Sequence, residues 1–417
     1  MHIIAVDDEP LALGLLVHSI QEACPTAQVS EFQSGQEALQ FLESNRCDIA
    51  FLDIHMRGID GLSLAKKIKE LTPLCNLDCK MCYVRLSKSE MEAQGRLRTW
   101  EEWLDVARQM KENGVLFLLL TGGEPLMYPH FRDLFVALKK MGMILTINTN
   151  GTLLDEDWAD FFAQYKPRRI NITVYGASEE KYRDLCQAPQ GFKKATDAVR
   201  LLKARGVDVK ISGSATKANE ADLEKIIQLG HSMNVPVVID TYMMPATRER
   251  TLPYDFQSRL DPISAARSRV RTLKLEMGEE AFRNYRDTAI ETADNFVPGE
   301  EKEENITCLA GSCSFSVNWK GNLQPCVILQ NPHANVFEVG FKEAWNQVWQ
   351  QALELKSASK CSICNLRHLC RTCVAAGLNE EGAHNAVPEY MCRYAAETLR
   401  LLRESAAADS IEVAGNE

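Results

Sequence analysis

Three cysteines stand within residues 72–83, T-P-L-C-N-L-D-C-K-M-C-Y: Cys75, Cys79 and Cys82, in a C-x3-C-x2-C spacing. Thiolates are the ligands of iron–sulfur clusters, and a [4Fe–4S] cube wants four of them. Three leave one iron open to a small molecule. Zinc is the other metal that cysteine loops hold, but its sites usually pair C-x2-C units and need four ligands, or three and a water. Buried packing is a third reading of the same residues.

A second stretch with chemical content is T-G-G-E-P, 121–125, directly after the apolar run 115–120. Glycine permits close backbone approach, and a carboxylate accepts from an ammonium. Asn150-Gly151 ends the next apolar run, where an Asn-Gly pair is also a plain turn signal. The C-terminal quarter carries Cys308, Cys313 and Cys326, then Cys361, Cys364, Cys370 and Cys373 as C-x2-C-x5-C-x2-C, then Cys392. Cys24, Cys47 and Cys186 are left as packing residues.

The triple-cysteine loop, with Tyr83 beside its last cysteine and G-G-E-P downstream, resembles the radical SAM superfamily. The resemblance implies a [4Fe–4S] cluster on Cys75, Cys79 and Cys82 whose open iron chelates S-adenosylmethionine (SAM). An electron from that cluster would break a carbon–sulfur bond to give a 5′-deoxyadenosyl radical. Gly122, Gly123, Glu124 and Pro125 would meet the methionine amino group, Tyr83 the adenine, and Asn150 would belong to the family's T-N-G turn.

The later cysteines resemble the SPASM extension, one residue short in its last spacing. By order, Cys308, Cys313, Cys326 and Cys373 would hold one auxiliary [4Fe–4S] cluster, and Cys361, Cys364, Cys370 and Cys392 another, making three; a pair of zinc sites is the alternative. Enzymes with this extension mostly oxidise peptides or proteins. The expectation is therefore an oxidoreductase with a peptide or protein substrate and a flavodoxin- or ferredoxin-like electron donor. Val327 stands where sulfatase maturases carry an Asp, which counts against that activity. A small-molecule dehydrogenase or decarboxylase, and a phospho- or redox-signalling protein, stay as alternatives.

The elements that must position these residues read as α/β. Strands are expected at 115–120, 144–148, 170–174, 207–211 and 235–239, with helices between them, as in the family's partial (β/α)6, TIM-like barrel. A first strand before the cysteine loop is doubtful: residues 64–71 must serve either it or the preceding helix. Residues 1–71 read as β-α-β-α-β-α and resemble the first half of a flavodoxin-like response-regulator receiver. Asp53 matches the phosphoacceptor, and Asp7 and Asp8 the magnesium-holding pair. The rest of a receiver, with its switch hydroxyl and phosphate-pairing Lys, is missing, so the fragment reads as vestigial.

The expected organisation is a truncated receiver over 1–71, the radical SAM barrel over 72–247, a helical bridge over 248–305, the SPASM domain over 306–400 and a disordered tail over 401–417. A formal net charge of −10 argues against non-specific nucleic-acid binding. No signal peptide or membrane-length apolar run is visible. With 14 cysteines and no export signal, metal ligation in a reducing cytoplasm is expected.

Overall fold

The computed structural model describes residues 2–6, 10–33, 37–38, 41, 49–52, 68–244, 258–306, 308, 310–311, 313–370 and 372–414. Two compact units divide near residue 66. In the first, β1 (His2–Val6) lies between β2 (Gln28–Phe32) and β3 (Ile49–Leu52), all parallel. Ile3 and Ala5 pack on Leu13 and Ile20 of the helix Pro10–Ala23, while Ile4 and Val6 meet Ala38. A strand buried on both faces is a parallel-sheet trait. Asp7, Asp8 and Asp53 lie outside the described residues.

The second unit is built on six parallel strands: β4 (Ile68–Glu70), β5 (Phe117–Thr121), β6 (Ile144–Thr149), β7 (Arg169–Thr173), β8 (Val209–Ser214) and β9 (Val237–Asp240). The doubtful first strand is thus present: residues 68–70 pair with 119–121. Its other edge is covered from far down the chain, where Ser316 and Val317 of β10 (Ser316–Val317) pair in parallel with Ile68 and Lys69. Antiparallel β11 (Asn322–Gln324) and β12 (Ala334–Asn335) complete the nine-stranded sheet. A three-residue strand gains both its partners only once the C-terminal part has folded.

Strands β5, β8 and β9 begin two residues later than the apolar runs suggest. The reason is local. The preceding helices end in a left-handed residue, Gly114, Gly206 or Asn234, and the next residue donates back across the last turn: Val115 to Met110 (2.9 Å), Val207 to Leu202 (3.1 Å) and Val235 to Gly230 (2.9 Å). This is the Schellman closure, in which the apolar residue after the cap packs inward. Those valines belong to helix caps.

The bridge region is helical where described, as Pro262–Met277 and Glu279–Asp294. Glu276 accepts from the Ile239 N–H at 2.8 Å, which ties the first of these helices to β9, the barrel's last strand. The tail expected to be disordered is instead part of a 26-residue helix, Glu389–Ala414. Leu399 and Leu402, from its middle, are buried against Leu273, Phe282 and Ala289 of the bridge, and Arg286 pairs with Asp409 at 2.5 Å. An apolar face with a partner overrides the polar composition. Among the described residues no helix is long and apolar enough to cross a membrane.

Candidate functional site

The cysteine loop is fixed by backbone contacts to the ends of neighbouring elements. Gly123 and Glu124 donate to the carbonyls of Thr72 and Leu74, both at 2.7 Å, and Leu86 donates to Pro73 at 3.0 Å. The approach explains the glycine pair. A Cβ at Gly122 would sit 2.3 Å from the Thr72 carbonyl oxygen, and one at Gly123 would sit 2.4 Å from that of Leu74. Any side chain there would push the loop away. The glycines serve the chain's own backbone as well as the cavity.

Glu124, expected beside the methionine amino group, is held by the chain's own groups. Its carboxylate is fully buried, accepting from Leu126 N (3.1 Å), Thr149 Oγ1 (2.8 Å) and Asn150 N (2.8 Å). It ties the end of β5 to the end of β6. Burial pushes its pKa up to about 7 against those three bonds. Pro125 is likewise buried. Asn150 is also committed. Its amide donates to Asn76 Oδ1 (3.0 Å) and reaches Cys75 Sγ (3.6 Å), while its oxygen accepts from Thr152 N (2.9 Å).

Cys75, Cys79 and Cys82 open onto a cavity of about 510 Å³ with Tyr83, Gly122, Gly123 and Asn150. Its lining also carries groups that the motifs did not single out, among them Asp240 and Tyr242, and Met243, which packs against the cysteine-loop cluster. Asp240 closes the apolar run of β9, and a polar residue at the C-terminal end of a barrel strand is the signal that finds it. Tyr242 is held from behind: its hydroxyl donates to Glu380 (2.8 Å), which pairs with Arg259 (3.0 Å) in a buried cluster. Arg259 in turn lies 3.4 Å over the Tyr390 ring.

The donors suit thiolates. Backbone N–H groups point at sulfur from Leu77 to Cys75 (3.4 Å) and from Arg85 to Cys82 (3.3 Å). In the protein alone, burial pushes the Cys75 thiol up to about 12, so a bound cation is what would make it a thiolate at neutral pH. Among the described residues no three His, Cys, Asp or Glu side chains close tightly enough for one metal ion. The sulfurs ring cavities instead.

A second cavity, about 240 Å³, is lined by Cys308, Cys361, Cys364, Cys370, Cys373 and Cys392. The electrostatic neighbours of Cys326 include Cys373 and Cys308, and those of Cys361 include Cys370, Cys392 and Cys364. Cys373 lies next to Cys370 as well, so the two groups adjoin. Cys313 sits at the turn before β10. The acidic stretch 300–304 is pinned beside these groups: Glu304 pairs with Arg367, and Ser357 N donates to its carbonyl (2.9 Å).

Residues 70–230 match the family model described as the radical SAM superfamily. The chain carries a radical SAM domain. That family implies a [4Fe–4S] cluster and SAM. A response regulator receiver domain model matches residues 3–81, and the overlap at 70–81 goes structurally to the barrel, as β4 and the cysteine loop. An AdoMet-dependent heme synthase of Oleidesulfovibrio alaskensis is 25% identical, covering 78% of this chain and 86% of its own. The antilisterial bacteriocin subtilosin biosynthesis protein AlbA of Bacillus subtilis is 23% identical, covering 76% and 68%. Among solved structures, Streptococcus suis SuiB bound to precursor peptide SuiA shares the fold at TM-score 0.61 and 16% identity, over 91% of this chain and 87% of that one. The enzyme anSMEcpe with bound AdoMet gives TM-score 0.61 and 22% identity over 84% and 99%.

Proposed function

We propose that this radical SAM enzyme oxidises a peptide or protein and holds three [4Fe–4S] clusters, one on Cys75, Cys79 and Cys82 and two on the C-terminal cysteines. The observation that carries the reading is the single cavity in which the three-cysteine loop faces Gly122–Gly123 and the strand ends of the barrel. When bound, the cluster and SAM supply a 5′-deoxyadenosyl radical.

The chain's own residues supply placement. Gly122 and Gly123 bring β5 against the cysteine loop, and Glu124 and Asn150 lock β6 to it. Tyr83 and the Gly122–Gly123 backbone would line the SAM side of the cavity, and Asp240, Tyr242 and Met243 the substrate side. Asp240 adds a carboxylate to a lining that also carries Asn148, Thr173 and Ser214, polar groups able to orient a bound substrate. Cys308, Cys313, Cys326 and Cys373 would hold the first auxiliary cluster, and Cys361, Cys364, Cys370 and Cys392 the second, as a route for the electron leaving the substrate. A flavodoxin- or ferredoxin-like protein would deliver the electron that starts the reaction.

AlbA, SuiB with its precursor peptide, and anSMEcpe with a Cp18Cys peptide support the peptide class. The likeness to heme synthases favours a small-molecule decarboxylation as second reading. The test is anaerobic reconstitution of the full chain, followed by dithionite and SAM. About twelve irons per chain and 5′-deoxyadenosine that disappears in Cys79→Ala are expected. The substrate classes separate when peptides encoded beside the gene and a carboxylated haem precursor are each added: loss of hydrogen mass from a peptide supports the first reading, loss of carbon dioxide from the precursor the second.

A further inference from the structure

The first group of C-terminal cysteines and the SAM-side cavity share a wall. Ile328, just after Cys326, lines the cavity, and it belongs to one apolar group with Leu329, Val374, Cys326 and Cys373. A second connection starts at Cys373 itself. Cys373 is the N-cap of the helix Val374–Glu381, and its carbonyl accepts from Gly377 N (3.0 Å). Two turns along, a rise of about 10 Å, the Glu380 carboxylate accepts from the Tyr242 hydroxyl (2.8 Å) and from Arg259 Nη2 (3.0 Å). Tyr242 lines the cavity as well.

The helix between these ends has little slack. Val374, Ala375, Ala376 and Gly377 are buried, and a Cβ at Gly377 would lie 2.8 Å from the carbonyl oxygens of both Ala383 and Ala386. The far end is equally fixed. The Glu380 side chain is 9% exposed, and its partner Arg259 lies 3.4 Å over the ring of Tyr390, whose hydroxyl donates to the Leu260 carbonyl (2.8 Å). A helix this short is marginal by itself, so whatever holds its two ends decides whether it is ordered. A metal site is rarely preformed in the empty chain, and binding there supplies folding energy to the segments that carry the ligands. Cys373 carries this helix, and the helix carries Glu380.

We propose that Glu380 is a positioning residue: through the helix Val374–Glu381 it transmits occupancy of the first C-terminal cysteine group to Tyr242, and so shapes the substrate side of the cavity. This rests on the assignment of a cluster to Cys308, Cys313, Cys326 and Cys373. The substrate wall is then complete only in a chain whose first auxiliary site is loaded. A partly loaded chain is kept from holding a substrate against a radical whose electron it cannot carry away.

The test is anaerobic hydrogen–deuterium exchange of the full-length protein, read by mass spectrometry on peptides covering 374–381 and 240–244. Each protein is measured before and after reconstitution with iron and sulfide. Wild type should gain protection in both peptides. The double variant Cys326→Ala/Cys373→Ala should gain in neither, whereas Cys79→Ala, which removes a ligand of the other cluster, should still gain in both. In reconstituted Glu380→Ala the helix peptide should gain as in wild type, while 240–244 should exchange about fivefold faster than in wild type, as for the loss of one hydrogen bond. Because Glu380→Ala leaves the Arg259 charge buried, Tyr242→Phe is measured beside it. That change breaks the same bond, keeps the ion pair and carries the same expectation. Equal gains at 240–244 in wild type and Tyr242→Phe overturn the proposal, and so does a gain there in the double cysteine variant. Iron is counted first: a double cysteine variant with the wild-type iron content overturns the cluster assignment itself.

Discussion

The backbone N–H of Asn150 donates to the Glu124 carboxylate at 2.8 Å, and this bond joins the motif after β5 to the turn after β6. Because the Asn150 amide also reaches Asn76 and Cys75, the carboxylate supports the cysteine loop at one remove. Glu124→Ala would leave the N–H groups of Leu126 and Asn150 buried without their acceptor. A loss of about 2–4 kcal/mol is expected. Denaturant unfolding of the apo protein measures it, and iron content after reconstitution should fall with it.

The same carboxylate makes stability depend on pH in an unusual direction. Its pKa in the folded protein, about 7, lies above the ordinary carboxylate value of 4.5. The folded state therefore binds the proton more tightly than the unfolded chain. The stability this gives is fully present below the unfolded value and is lost as pH rises through about 7. Between pH 5 and pH 8 the apo protein should lose on the order of 3 kcal/mol from this group. Glu124→Gln cannot ionise, so its stability should be flatter over that range. Parallel slopes in the two proteins would sink the idea.

Gly122 and Gly123 offer a steric test. With backbone carbonyl oxygens 2.3 and 2.4 Å from where a Cβ would lie, neither position can admit alanine without displacing the loop. Gly123→Ala should cost at least ~2 kcal/mol, as for overpacking against an unyielding neighbour. It should also abolish 5′-deoxyadenosine formation while leaving the C-terminal irons in place. Iron analysis separates the two effects.

Much of this was legible in the residues, and the failures have physical reasons. The barrel strands announce themselves as apolar runs because both faces are buried, and the cysteine spacing points to the radical SAM domain because that motif is local. The bonds of Glu124 could not be read, because their partners, Thr149 and Asn150, lie 25 and 26 residues away. Strand β4 was doubtful for the same kind of reason: three residues carry little pattern, and one partner, β10, is some 250 residues downstream. Asp7, Asp8 and Asp53 are marked by motif alone. The end of the chain was misread because Leu399 and Leu402 look isolated until Phe282 is set against them.

That misreading yields its own prediction. Leu402 is fully buried between the last helix and the bridge helices. Leu402→Ala should cost about 2–5 kcal/mol, the range for emptying a leucine site in a packed core. A disordered tail would give no change. Thermal unfolding of the apo protein distinguishes the two.

Behind the cavity wall, Arg259 and Glu380 form an ion pair with only 4% and 9% of their side chains exposed. Tyr242 shares the Glu380 oxygen that Arg259 uses, so the pair also fixes a ring that faces the cavity. Removing one partner leaves the other charge buried, and Arg259→Ala should cost about 3–5 kcal/mol. Tyr242→Phe deletes one hydroxyl and keeps the pair, so about 1 kcal/mol is expected. If the cluster also shapes the substrate side, Tyr242→Phe should leave 5′-deoxyadenosine formation without substrate intact and change only the coupled reaction. A fall in the uncoupled reaction would place Tyr242 on the SAM side instead.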